Sequence, residues 1–254
     1  TATTEIYSIL FVGSVRCVKE TDVKYWLETL WLTKENFYKK IFNNVNIVNE
    51  HYINNLKNEG IIFALPHVGN WEMAIPVGKS INLDLVAVAE PLSNNYVLNW
   101  FKSLREDLGC KIIIGGKGQN TFNTIITELN SGKHICLLSE RTINKTGVGV
   151  EFFNNLASFP KGPVALALKT QLPIVPTTFL KIDNKYTLIF EKPFYVPLFD
   201  NAPLLDSAPL LNTVLLLHNA PSFDSARFLN KAALLNLSLI HISEPTRRTP
   251  ISYA

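Results

Sequence analysis

A chain of 254 residues, 47% hydrophobic and 18% charged, can bury one sizeable α/β core, so global disorder is excluded. The net charge of +3 is too small for a nucleic-acid binder, and no lysine- and arginine-rich run with interleaved aromatics supports one. Such mild basicity suits an anionic lipid surface or a phosphorylated cofactor. Cys17, Cys110 and Cys136 lie far apart without metal-ligand spacing, so neither a disulfide framework nor a zinc site is expected, and a reducing cytosolic setting is the default.

The apolar stretch from Ile6 to Val18 contains Gly13, Ser14 and Arg16 and is too short to span a bilayer. The chain begins at Thr1 rather than methionine, which leaves open an upstream, membrane-directed segment. Residues 23–44 have the spacing of one long amphipathic helix, with Trp26, Leu27, Leu30, Trp31, Phe37, Ile41 and Phe42 along one side. Two readings stay open for it. The helix packs on the core, or its tryptophans and lysines lie in the headgroup region of a membrane.

Ile61 to Leu65 is a short strand that Pro66 ends, and Gly69-Asn70 leads into a helix predicted over 70–80. His67 therefore sits at the mouth of a strand-to-helix turn, where open α/β sheets place their chemistry. Glu72, five positions on, could face back to it. An imidazole held by a carboxylate is a general base, although a histidine at a strand end can also be structural. A strand follows over 85–89, ending in Glu90-Pro91, then a helix over 94–108 that carries Arg105 and is closed by Gly109. The next strand, 111–114, leads into Gly115-Gly116-Lys117-Gly118. That loop could bring N–H groups and Lys117 to a phosphate, but it has neither Walker nor dinucleotide spacing, and a plain tight turn is the favoured reading.

A helix over 121–130 stops at Ser131-Gly132, and a strand over 134–139 delivers Glu140-Arg141. In a largely parallel sheet His67, Glu90 and Glu140 would all leave from one edge, and three ionisable groups there read as a site. Strands over 147–153, 172–179 and 186–190 and a helix over 164–170, entered through Pro160-Lys161-Gly162-Pro163, complete the pattern. The expected architecture is a single α/β domain with a mostly parallel mixed sheet flanked by helices. No Gly-x-Ser-x-Gly elbow and no His-Glu-x-x-His helix is present.

These blocks together resemble the lysophospholipid acyltransferase superfamily: His67 to Glu72, Glu90, Ser103 to Gly109 with Arg105, Ser139-Glu140-Arg141, Gly147 to Phe153 and Phe159 to Pro163. The similarity runs over about residues 22 to 197. It is greatest to the branch of the phosphatidylinositol mannoside acyltransferases and, more distantly, the lipid A lauroyl and myristoyl acyltransferases. The resemblance implies acyl transfer from acyl-CoA to a hydroxyl of a membrane glycolipid, with no metal or other cofactor. The catalytic roles would fall on His67 as the base and on Glu72, where that branch has aspartate, and Glu140 as acids; Glu140 is favoured as the orienting carboxylate, with Glu72 shaping the turn. Glu90, Arg105, Asn70, Arg141 and Lys117 would bind substrate. The implied setting is peripheral, on the cytoplasmic face of the plasma membrane. Two alternatives remain: a lipid A type enzyme using acyl carrier protein, and a membrane-surface binding fragment without turnover.

Beyond residue 199 the chain changes character. Asn201 to Ala208 recurs as Asn219 to Ala226 in a leucine-rich, degenerate repeat spanning 200–236. Residues 237–254 resemble a translated sequencing adapter and are set aside, His241 included.

Overall fold

The computed structural model describes residues 25–33, 44–66, 69–116, 120–139, 147–152, 155–183 and 185–197. Residues 25–31 are helical (α1). Then follow β1 (Val45–Val48), α2 (His51–Asn54), β2 (Ile62–Leu65), one 3-10 turn (Trp71–Met73) and α3 (Ala74–Ser80). The chain continues through β3 (Leu85–Ala89), α4 (Asn95–Asp107), β4 (Cys110–Ile114), α5 (Thr121–Asn130) and β5 (His134–Leu138). Last come β6 (Val148–Phe152), β7 (Asn155–Phe159), α6 (Gly162–Thr170), β8 (Ile174–Ile182) and β9 (Lys185–Phe190).

Seven strands form one sheet in the order β1-β9-β8-β2-β5-β3-β4. β8, β2, β5, β3 and β4 run parallel; β9 pairs antiparallel with β8, and β1 parallel with β9. The expected mostly parallel mixed sheet is therefore present. Its central strands are apolar on both faces because helices cover both. Phe63, Leu65, Leu85 and Val175 pack with α3 and α4 residues such as Val77 and Leu104 on one face. Ile62, Val86, Ile135 and Ile174 pack with Leu129 of α5 and Leu166 of α6 on the other. Leu65 stands opposite Leu138, Ala87 opposite Cys136, and Ala89 opposite Ile114. The ends of β2, β5, β3 and β4 thus lie level along one carboxyl edge.

Several elements depart from the sequence reading. The helix expected over 23–44 ends, within its described part, in a turn at 32–33. There the Thr33 N–H and hydroxyl both donate to the Leu30 carbonyl, at 3.3 and 2.7 Å. The helix expected from Asn70 starts as a 3-10 turn, because the Asn70 side chain caps Glu72 N–H and tightens the first turn. β1 and α2 are four residues each and too short for a periodic signal. β7 pairs antiparallel with β6 as a separate two-stranded ribbon. Gly109 does close α4, with φ +101° and its N–H on the Glu106 carbonyl at 3.0 Å. Residues 200–254 lie outside the described residues.

The opposite, amino edge of the sheet holds a buried imidazole. His134, 1% exposed, begins β5 beside Phe63, and its Nδ1 has no hydrogen-bond partner among the described residues. Burial pushes its pKa down from 6.5 to about 4, with Asp84 and Lys57 as smaller, opposing influences. The unfolded chain takes up this proton near pH 6.5, whereas the folded chain resists it until about pH 4. The sign is therefore destabilising on acidification: the contribution is complete above pH 6.5 and is lost, on the order of 3 kcal/mol, as pH falls to about 4. His134→Leu should remove most of this acid sensitivity. Urea unfolding of both proteins at about pH 7 and about pH 4.5 checks it, and equal acid losses in the two would refute it.

Candidate active site

The turn after β2 is held at both ends. Pro66 terminates the strand, and the Ser139 N–H donates to the Leu65 carbonyl at 2.9 Å, tying the ends of β2 and β5 together. Gly69 has φ +67°, and a Cβ there would collide with the Phe179 carbonyl of β8. Only glycine lets this turn lie against β8. Asn70 is buried, and its Oδ1 accepts the Glu72 N–H at 3.2 Å. Its Nδ2 donates to Glu28 Oε2 at 3.3 Å, and at 3.5 Å to both Thr29 Oγ1 and the Tyr25 carbonyl.

Next along the chain is a fully buried carboxylate. Glu72 has no exposed surface, and Arg105 of α4 clamps it with Nε 2.9 Å from Oε2 and Nη2 2.6 Å from Oε1. The Tyr25 hydroxyl donates to Oε1 at 3.0 Å. Burial alone would lower the Arg105 pKa, but the hydrogen bonds and charge of Glu72 outweigh it and hold the guanidinium above its usual value. Burial first, then the Glu72 charge, raises the Tyr25 phenol. Arg105 also lies 5.1 Å from the centre of the Phe101 ring, adding a cation–π contact.

Beside this ion pair lies an apolar cavity of about 110 Å³. It occupies the sheet face that carries Phe63, Leu65, Leu85 and Leu138, with Trp71 against it and Glu72 and Arg105 as its charged wall. Cys110 and Cys136 also line it. Burial pushes the Cys110 thiol up to about 12 and that of Cys136 well above its ordinary value, so both stay protonated and unreactive near neutral pH.

Residues 17–200 match the bacterial lipid A biosynthesis acyltransferase family. The chain belongs to this family. It is also similar to the phosphatidylinositol mannoside acyltransferase of Mycobacterium tuberculosis (strain ATCC 25618 / H37Rv), 34% identical over 119 residues, or 46% of this chain and 38% of the relative. The Mycolicibacterium smegmatis protein of the same name is 33% identical over 118 residues, or 46% of this chain and 39% of the relative. These alignments cover well under half the length of the relatives.

Within this member of the acyltransferase family, the sequence-predicted site residues divide. Glu72 and Arg105 meet, with Asn70 two positions away in the same turn. Glu90 is exposed just past β3 and does not line the cavity. His67, Lys117, Glu140 and Arg141 lie outside the described residues, whereas the strands that lead to His67 and Glu140 are neighbours in the sheet. Tyr25 and Glu28 went unnoticed in the sequence. Their signal was the 3.6-residue spacing of Tyr25, Glu28, Thr29 and Leu32, all buried, hidden beside a more conspicuous tryptophan-leucine stripe.

Removing either member of a buried ion pair leaves the other charge uncompensated. Glu72→Gln and Arg105→Gln should each destabilise the protein by about 3 kcal/mol, and the double variant by clearly less than the sum. Urea unfolding of the four proteins in a double-mutant cycle measures this coupling. Additive losses would show that the pair is not a unit.

Proposed function

We propose that this member of the family moves a fatty acyl chain from acyl-CoA to a hydroxyl of a membrane glycolipid of the phosphatidylinositol mannoside kind. The observation that carries the reading is the apolar cavity beside the turn at the carboxyl edge, in a chain of an acyltransferase family. Such a cavity suits a short stretch of an alkyl chain and offers no thiolate for a covalent intermediate. In the proposed reaction His67 takes the proton of the acceptor hydroxyl as its oxygen bonds to the thioester carbonyl. The carbon–sulfur bond then breaks, and the thiolate recovers the proton from the imidazolium. Backbone N–H groups of Gly69 and Asn70 would stabilise the oxyanion. Glu140 would orient His67, while Arg105, Arg141, Lys117 and Glu90 would meet phosphate and headgroup.

The division of labour between the carboxylates draws support from Glu72, whose described hydrogen bonds run to Arg105 and Tyr25. It is already engaged in holding the turn. Glu140 is then the acid for His67 in this proposal.

A membrane-facing surface fits the same reading. The exposed face of α1 is Trp26, Leu27, Leu30 and Trp31, 42–50% exposed, whereas its buried face includes Tyr25, Glu28 and Thr29. Such polarity is inverted for a helix in water and suited to one lying on lipid. No described helix is long and apolar enough to cross a membrane. The proposed setting is peripheral, on the cytoplasmic face of the plasma membrane, and what supports contact with a membrane is the exposed tryptophan-leucine face of α1.

Labelled palmitoyl-CoA supplied with phosphatidylinositol mannoside should yield acylated product, and His67→Ala should lower turnover about 100- to 10,000-fold without unfolding the protein. Glu140→Gln should reduce turnover steeply while acyl-CoA binding is kept. Product from acyl carrier protein but not from acyl-CoA would move the reading to the lipid A type donor. Near-normal turnover of His67→Ala would overturn the base assignment.

In a separate measurement, the protein should co-sediment with anionic phospholipid vesicles, and less so after Trp26→Ser combined with Trp31→Ser. Unchanged sedimentation would refute the docking face.

A further inference from the structure

Helix α1 holds the turn after β2 through hydrogen bonds to both Asn70 and Glu72. The Tyr25 hydroxyl reaches Glu72 at 3.0 Å, and Asn70 Nδ2 donates to Glu28 Oε2 at 3.3 Å. The second carboxylate oxygen of Glu28 accepts from the Tyr186 hydroxyl of β9 at 2.7 Å. Tyr186 in turn stacks on Phe179 of β8, with centroids 5.8 Å apart and rings inclined by 10°. Phe179 is the residue whose carbonyl leaves Gly69 no room for a side chain. The turn is thus gripped between the β8 backbone at Gly69 and the polar face of α1 at Asn70 and Glu72.

Glu28 is the corner of this frame. It is buried, and its two oxygens join α1 to the turn and to β9, segments 42 and 158 residues away in sequence. A buried carboxylate is an expensive way to fill space, and a leucine would pack there at less desolvation cost. What leucine cannot do is fix Asn70 by a directed bond. Asn70 lies three positions after His67 and caps the turn that follows.

We propose that Glu28 is a positioning residue for acyl transfer, setting through Asn70 the placement of the turn that carries His67. The inference rests on His67 being the base. A displacement on the order of 1 Å in such a group costs about 100-fold in rate. Glu28 would therefore act on the chemical step rather than on donor binding.

The test compares Glu28→Ala, Glu28→Gln and Tyr186→Phe with the unmodified protein, reading kcat, KM for palmitoyl-CoA and thermal midpoint, with His67→Ala in the same assay. Glu28→Ala should lower kcat by about tenfold or more with KM little changed. Glu28→Gln should restore most of it, since an amide can offer its oxygen to Asn70 and its N–H to the Tyr186 oxygen. A merely structural role would lower the midpoint in Glu28→Ala while folded molecules kept full kcat. That result overturns the proposal. If Glu28→Ala does not fold, Tyr186→Phe decides: a several-fold loss in kcat with KM kept supports the proposal, and full kcat overturns it. An active His67→Ala would show instead that the base assignment has failed and that the proposal falls with it. An inactive His67→Ala beside a fully active Glu28→Ala would show that the positioning inference alone is wrong.

Discussion

A carboxylate with no exposed surface dictates how the carboxyl edge of the sheet is built. Glu72 cannot remain charged in the interior without donors, and Arg105 and Tyr25 supply them from two different helices. The guanidinium binds through two nitrogens, which fixes angle as well as distance. α1, the 3-10 turn and α4 are therefore drawn to a single point beside the end of β2. The arrangement also explains why one wall of an otherwise apolar cavity is charged: the pair compensates itself and leaves the remaining lining free to be hydrocarbon.

Much of the architecture was legible in the sequence, because parallel strands buried on both faces must be continuous apolar runs. Ile62–Leu65, Leu85–Ala89 and His134–Leu138 stand out for that reason, and so does the alternation with helices that makes the sheet parallel. Gly109 was legible because a helix end needs a residue at positive φ. β1 was not, since its four residues are broken by Asn46 and form neither a continuous apolar run nor a visible period. The level register of Leu65, Ala89 and Leu138 followed once the strands were parallel.

The site was harder to read than the sheet, for a physical reason. Spacing reports neighbours along one element, and it linked Glu72 to His67. The strong partner of Glu72 is Arg105, 33 residues on, and tertiary pairs of this kind leave no periodic trace. Asn70 also reaches across the fold, its side chain capping the Glu72 N–H and bonding to Glu28 of α1, 42 residues away. Helix α1, for which two readings were open, shows another limit of pattern reading. Its apolar stripe is the exposed one, so the usual rule that the apolar face points inward selects the wrong side.

The contact between Glu28 and Tyr186 spans 158 residues. A ribosome takes about 8 to 30 seconds to make that much chain. During this interval α1 has emerged, yet the strand that completes its polar seat has not been synthesised. Both sides of the helix are then in water, with indole rings on one and an unanchored carboxylate on the other. The nascent chain thus presents a lipophilic segment long before it presents a finished site, and early contact with a bilayer or a chaperone would shield it. Assembly of the turn after β2 becomes one of the last events of folding, and a polypeptide interrupted before β9 would carry the apolar helix without the frame that grips Asn70 and Glu72.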